Sequence, residues 1–181
     1  AEEHDYAMGK ALGDMRLGWL RGCRGDAGGV AQLQLGVQAW RARGGAVAAP
    51  AFLGLVAEAC VGAGMPEEGI DAAREGIRNS QETGANHNDA ELHRALGELL
   101  FLAGDHDEDA EAHLEQAIDV ARGQKAKAWE LRATISLCRL WQKVGKESEA
   151  HARLADLCAW FTDGRGAPDL DEARELLTRL V

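Results

Sequence analysis

The sequence predicts an all-α fold of about four helical hairpins followed by a C-terminal capping helix. Apolar side chains recur at the spacing of one helical face along most of the chain. Successive stretches of this kind are separated by glycines that stand about 40 residues apart, which indicates a repeated structural unit. These turn glycines are Gly25, Gly64, Gly104 and Gly145.

The first two hairpins are predicted over residues 5–43 and 51–80. The link between them, RARGGAVAAP, contains a double glycine that stops a helix. Pro66 suits the first turn of a returning helix, because that position needs no backbone donor. The apolar face of the first helix consists of Met8, Leu12, Met15 and Trp19.

The next two hairpins are predicted over residues 88–122 and 126–161, and the capping helix over 169–181. The hairpin at 88–122 is the clearest, because apolar stripes lie on both sides of its turn at Ala103-Gly104-Asp105. Asp169 and Glu172 have the spacing of a capping box, which predicts the start of the last helix.

Small residues at matching places predict close packing within each hairpin. Glycine inside a helix costs roughly 1 kcal/mol relative to alanine, so Gly97 indicates a neighbour that leaves no room for a side chain. Residues seven positions before each turn glycine are Gly18, Ala57, Gly97 and Cys138. The matching residues of the returning helices are Gly29, Gly69, Ala110 and Ala150.

The central hairpin resembles a tetratricopeptide repeat through Leu96-Gly97, Leu100, Gly104, Ala110, Leu114 and Ala117. The resemblance implies a right-handed α-solenoid whose concave face is lined by the first helix of each pair. The segments AELHRALGELL, AKAWELRATISLCRLW and WFTDGRGAPDLDEARELL resemble the C-terminal repeats of bacterial multidomain proteins. Those are adenylate or guanylate cyclase-linked proteins and signalling ATPases, so the chain is expected to be one repeat domain, residues 1–181, cut from a larger protein.

Composition limits the partners and the location. A net charge of −10 argues against nucleic acid, which requires a basic face. No apolar run reaches the roughly 18 residues of a membrane span, and the acidic start AEEHDY does not resemble a signal peptide. We expect a cytoplasmic protein in which Cys23, Cys60, Cys138 and Cys158 are small buried thiols, with a disulfide or redox role as the alternative.

No catalytic, cofactor or metal site is predicted. The chain has no phosphate-binding loop and no GxSxG or HExxH motif. The acidic segment 105–109 begins like a calcium loop but lacks the glycine and the final acid that such a loop needs. His106, Asp109 and His113 could share a helical face, although solvated surface is the better interpretation. The five tryptophans are interpreted as core or stacking residues rather than a ligand box.

Residues at fixed offsets from the turn glycines are expected to align on the concave face and to contact a partner. Glu98 is expected to face Arg139, and Glu91 to face Arg132. These pairs are either exposed salt bridges, worth about 0–1 kcal/mol each, or part of a polar peptide-binding surface. The predicted contact residues are Trp19, Glu58, Arg94, Glu98, Phe101, Arg132 and Arg139.

The expected function is therefore a non-catalytic protein-interaction and regulatory module of a larger signalling protein. Its partner would be a protein or peptide, including other domains of the parent chain, and not a nucleic acid or a membrane. The alternative is a helical domain that senses a small molecule or peptide bound inside the superhelix. An intrinsic enzymatic activity ranks third, because no acid–base–nucleophile set is present.

Overall fold

A computed structural model describes residues 2–42, 48–104, 106–162 and 166–180, with side chains from residue 9 onward. Within these ranges the regular structure is entirely helical, which confirms the predicted all-α class. Several predicted features lie outside the described residues: residues 43–47 of the link RARGGAVAAP, Asp105 of the central turn, the side chain of Met8, and Val181. The helices are α1 Glu2–Cys23, α2 Ala27–Arg41, α3 Ala49–Ala63, α4 Pro66–Thr83, α5 Asp89–Ala103, α6 Asp107–Gly123, α7 Lys127–Lys143, α8 Glu147–Trp160 and α9 Pro168–Arg179, with a 3₁₀ turn at Asn86–Asn88.

Helices that follow each other in the chain pack against each other. The pairs α1/α2, α3/α4, α5/α6 and α7/α8 correspond to the four predicted hairpins, and α9 packs on α7 and α8. The odd-numbered helices also contact one another in order, from α1 to α3, α5, α7 and α9. One helix of every hairpin therefore contributes to a shared surface, and α9 extends it.

Glycines permit the turns and the close approach inside the hairpins. Gly25, Gly64, Gly104 and Gly145 have φ between 66° and 92°, a conformation that other residues rarely adopt. A Cβ atom built on Gly97 would lie 2.6 Å from Leu114 Cγ and 3.0 Å from the carbonyl oxygen of Ala110. The predicted small site in the third hairpin is therefore confirmed.

The first and fourth hairpins use the same device. A Cβ atom on Gly18 would lie 2.8 Å from the carbonyl oxygen of Gly29, the predicted small partner on α2. In the fourth hairpin the Cys138 thiol donates a hydrogen bond of 3.3 Å to the carbonyl oxygen of Ala150. Small side chains thus bring the two backbones of a hairpin together at equivalent positions.

The predicted capping box at the start of α9 is wrong. The helix begins at Pro168 after Ala167, and no side chain caps it. Proline fits this first position because it has no N–H to satisfy, and the helix therefore starts two residues earlier than the capping box requires. Asp169 consequently lies inside the first turn, and it lines a cavity together with Glu172.

The cysteines and tryptophans occupy more varied environments than predicted. Cys60 and Cys138 are buried as expected, whereas Cys158 is half-buried and Cys23 is exposed, so the prediction fails for Cys23. Trp141 is buried, and Trp160 is 58% exposed. No helix among the described residues is both long enough and apolar enough to cross a membrane.

Candidate functional site

A cavity of about 370 Å³ lies where the odd-numbered helices meet, and all five of them contribute residues to it. Five predicted contact residues line it: Glu58, Arg94, Glu98, Arg132 and Arg139. Trp19 lines an adjoining pocket together with Glu58, Arg94 and Arg132. Phe101 instead packs against the hydrophobic core, so the structure does not bring it to the cavity.

The Glu58 carboxylate on α3 connects four helices. One of its oxygens accepts a hydrogen bond of 2.8 Å from Trp19 Nε1 on α1. The other accepts from Arg94 Nη2 on α5 at 3.3 Å and forms an ion pair with Arg132 on α7. This single side chain therefore holds α1, α5 and α7 in register with α3.

Arg94 carries a positive charge in the interior, since the residue is only 5% exposed. Its guanidinium contacts Glu98 at 2.9 Å, Glu91 at 3.2 Å and Glu58 at 3.3 Å. Burial alone would lower the pKa of Arg94, but the three carboxylates, with Glu98 the strongest, reverse that effect and raise the pKa above its ordinary value. Arg94 thus remains charged because it is surrounded by anions.

The two predicted salt bridges have different outcomes. The pair between Glu91 and Arg132 is confirmed, with a distance of 2.8 Å. The prediction of a pair between Glu98 and Arg139 is wrong, because Glu98 binds Arg94 and lies within hydrogen-bonding distance of Ser136.

Arg139 forms its ion pair with α9, the predicted capping helix. Its Nη2 atom lies 2.6 Å from Glu172 Oε1 on α9. Arg94, four residues before Glu98 on the same helix, is the nearer partner for that carboxylate, and it leaves Arg139 to α9. The i,i+4 spacing of Arg94 and Glu98 in the sequence could have indicated their ion pair. Nothing in the sequence places Asp169 and Glu172 at the cavity.

Cys23 lines the cavity, but its thiol is not activated. Although the Cys23 residue as a whole is exposed, its thiol is partly desolvated against the cavity wall; this desolvation, followed by the negative charge of Glu58, raises the pKa of Cys23 to about 11. The thiol therefore remains protonated at neutral pH and is a poor nucleophile. The cavity combines fixed charges and hydrogen-bonding groups, which suit binding rather than covalent chemistry.

A histidine pair that sequence reasoning missed joins α5 to α6. The Nδ1 atoms of His93 and His113 lie 3.1 Å apart, and the rings stack with centroids separated by 5.3 Å. Burial, followed by His113, lowers the pKa of His93 to about 4, although Asp89 opposes the change. Burial also lowers the pKa of His113; the negative charge of Asp109 opposes this change, and the positive charge of Arg74 adds to it. Two neutral rings can share one N–H···N hydrogen bond, which identifies the pair as a structural contact.

Metal ligation was an alternative for His113 together with His106 and Asp109. In the part of the chain that the structure describes, no group of three or more His, Cys, Asp or Glu side chains is arranged to hold a metal ion. His113 faces His93 on the neighbouring helix. The spacing of His106, Asp109 and His113 along the helix therefore does not produce a ligand set.

The His93 pair predicts a loss of stability in mild acid. The pKa of His93 is about 4 in the folded state and about 6.5 in an unfolded chain. Between these values the unfolded chain binds the proton more strongly, so the free energy of unfolding falls as the pH falls. Measured by urea denaturation, the free energy of unfolding should fall less between pH 7 and pH 4.5 for His93→Gln than for the wild type. Replacement of the exposed His87 by Gln is the control, and equal slopes for all three proteins would contradict the prediction.

Comparison with known proteins gives little further information. No protein-family model matches the chain. The chain is similar to an uncharacterized protein of Rhizobium meliloti (strain 1021), with 33% identity over 130 residues. This match covers 71% of the chain and 13% of that protein, so the chain spans a small part of the relative's length.

Proposed function

We propose that the chain is a non-catalytic protein-interaction and regulatory module that binds a protein or peptide partner in the cavity between its odd-numbered helices. One observation carries the proposal: five helices converge on this cavity, and they bring five of the seven predicted contact residues to it. Residues that lie far apart in the chain thus form one surface. Arginine, which is abundant there, is among the residues that most often anchor interfaces.

The proposed architecture is a right-handed tetratricopeptide-like α-solenoid formed by one domain, residues 1–181, with the odd-numbered helices on its concave face. Contacts between successive hairpins and between successive odd-numbered helices support it. We propose a larger cytoplasmic bacterial signalling protein, cyclase-linked or ATPase-linked, as the parent. The similarity to a protein of which the chain covers 13% supports a larger parent.

The proposal includes no intrinsic cyclase, ATPase or hydrolase activity and no nucleic-acid binding. The Cys23 thiol has a raised pKa, the described lining of the cavity contains no histidine, and the Glu98 carboxylate that accepts from the Ser136 hydroxyl is already bound by Arg94. The net charge of −10 disfavours a polyanionic partner. Binding is the function that these side chains support.

A second candidate is a sensing domain whose small-molecule or peptide ligand lies inside the superhelix. The cavity volume of about 370 Å³ favours it, because it falls in the range of about 300–1,000 Å³ that is usual for small-ligand pockets. The two candidates differ in the ligand but use the same surface.

A double variant, Arg139→Ala with Glu172→Ala, tests the interaction module. The two side chains are 52% and 37% exposed, so their removal should change the free energy of unfolding by no more than about 1 kcal/mol. Titration against the flanking domains of the parent protein should show a roughly tenfold loss of affinity, equivalent to about 1.4 kcal/mol. Isothermal calorimetry measures the affinity, and urea denaturation measures the stability.

The matched control removes an ion pair away from the cavity. Lys10 and Asp14 on α1 are 3.2 Å apart and 67% and 53% exposed, and their replacement by alanine should leave the affinity unchanged. Unchanged binding by the cavity variant, together with a loss on Arg78→Ala at the exposed surface of α4, would contradict the proposal. That result would place the binding surface on the even-numbered helices.

A further inference from the structure

The charges around the cavity do not balance. Deep in the site, three carboxylates share two guanidinium groups: Glu58, Glu91 and Glu98 with Arg94 and Arg132. The side chains of the three glutamates are only 17–20% exposed, so water screens this surplus negative charge poorly. The inner part of the site therefore has a net charge of −1 among the described residues.

The more exposed part of the cavity lining, on α9 and the end of α7, also has more carboxylates than cations. Asp169 and Glu172 line it from α9, and Arg139 lines it from α7. Arg139 is paired with Glu172 at 2.6 Å. Over the described residues, the cavity lining carries four carboxylates and three guanidinium groups, and Glu91, which lines the adjoining pocket, adds a fifth carboxylate. A ligand with one or two positive charges would neutralise this surplus.

Apolar groups also line the cavity. Val61 and Gly62 line it from α3, and Ile135 lines it from α7. Lysine and arginine side chains place their aliphatic stems along apolar surfaces while their charged ends reach polar groups. A cavity lined by both apolar side chains and carboxylates is therefore complementary to a lysine or arginine side chain.

We propose that this cavity binds the basic side chain of a partner peptide, and arginine in preference to lysine. The inference rests on the proposed function and specifies the partner's chemistry. The stem lies along Val61 and Ile135, and the charged end reaches the carboxylates of Asp169 and Glu172. Arginine is preferred because its planar guanidinium can bind a carboxylate through two parallel hydrogen bonds, whereas the lysine ammonium acts as a point charge.

The first test uses the peptide acetyl-Gly-Gly-Arg-Gly-Gly-amide and three matched peptides that carry lysine, citrulline or glutamate in place of arginine. Citrulline retains the shape of arginine but has no charge. Titrations followed by NMR should show shifts of the Ile135 and Val61 methyl signals with the arginine peptide. The citrulline peptide should bind roughly tenfold more weakly, since charge-assisted hydrogen bonds are about twice as strong as neutral ones, and the glutamate peptide should not bind.

The second test compares two variants that change the net charge equally. Asp169 and Asp171 both lie in the first turn of α9, so Asn at either position removes the same favourable contact with the helix dipole. Asp169 lines the cavity, whereas Asp171 pairs with Arg174 on the same helix. Asp169→Asn should weaken binding of the arginine peptide roughly fivefold, and Asp171→Asn should leave it unchanged.

Several outcomes would overturn this inference. Equal binding of the arginine and citrulline peptides would exclude charge recognition, and equal losses in the two Asn variants would reduce the effect to overall net charge. Acetyl-arginine-amide binding as tightly as the peptide would replace the peptide partner by a free guanidinium compound. Absence of binding by every peptide, with retained affinity for the flanking domains, would reject the basic side chain but leave the interaction module intact. Binding of the arginine peptide without affinity for those domains would support recognition of a basic side chain but reject the flanking domains as the partner.

Discussion

Replacement of Arg94 by methionine should destabilise the protein by about 3–5 kcal/mol, the usual cost of removing one partner from a buried ion pair. Methionine fills a similar volume, so the cost is electrostatic. Arg94 is 5% exposed and contacts three carboxylates. Its removal leaves Glu58 and Glu91 with Arg132, and takes from Glu98 the only ion pair that it forms among the described residues. Urea denaturation at pH 7 measures the change.

The control for this variant is Arg132→Met, which removes a more exposed member of the same network. Its side chain is 31% exposed, so its loss should cost clearly less than that of Arg94. A cost below about 1 kcal/mol for Arg94→Met would show that the carboxylates do not depend on this cation.

Replacement of Gly97 by leucine should overpack the third hairpin and cost about 1–3 kcal/mol or more. The new Cβ atom would lie 2.6 Å from Leu114 Cγ and 3.0 Å from the Ala110 carbonyl oxygen. Leu114 can shift, but the backbone of α6 cannot move without separating the hairpin. Helix propensity favours the substitution by up to about 1 kcal/mol, so overpacking must exceed this gain. Thermal melting followed by circular dichroism measures the result.

Gly123 provides the control for this prediction, because the same substitution there meets open space. No atom lies within 4 Å of a Cβ built on Gly123, at the end of α6. Gly123→Leu should therefore leave the melting temperature unchanged or raise it slightly. A higher melting temperature for Gly97→Leu would contradict the close packing of α5 on α6.

Local signals in the sequence predicted much of the fold. Gly25 and Gly145 identified turns because a positive φ is a property of a few residues around the glycine itself. Gly97 and Ala110 identified a helix contact because both lie at fixed distances from one turn. Helix ends were less predictable, as at α9, where Pro168 fits the first position and the Asp169 capping box does not form.

The site was predicted as a surface but not as a set of contacts. Offsets from the turns brought Glu58, Arg132 and Arg139 to one cavity, because equivalent positions of packed helices lie side by side. The choice between competing partners depends on distances of a few ångströms, so Arg94 rather than Arg139 neutralises Glu98. The sequence could not show that α9 would reach this cavity, since that depends on the angle at which α9 packs on α7.

The Glu58 carboxylate joins distant parts of the chain: Trp19, Arg94 and Arg132 lie 39, 36 and 74 residues from it. Packing between adjacent helices alone would let the hairpins open one at a time from either end. A shared carboxylate opposes this, because opening α7 would remove Arg132 from Glu58, and opening α1 would remove the hydrogen bond from Trp19 to the same carboxylate. Helices α1 to α7 should therefore unfold as one cooperative unit with uniformly slow amide hydrogen exchange, whereas α9, packed on α7 and α8, opens at a lower free energy.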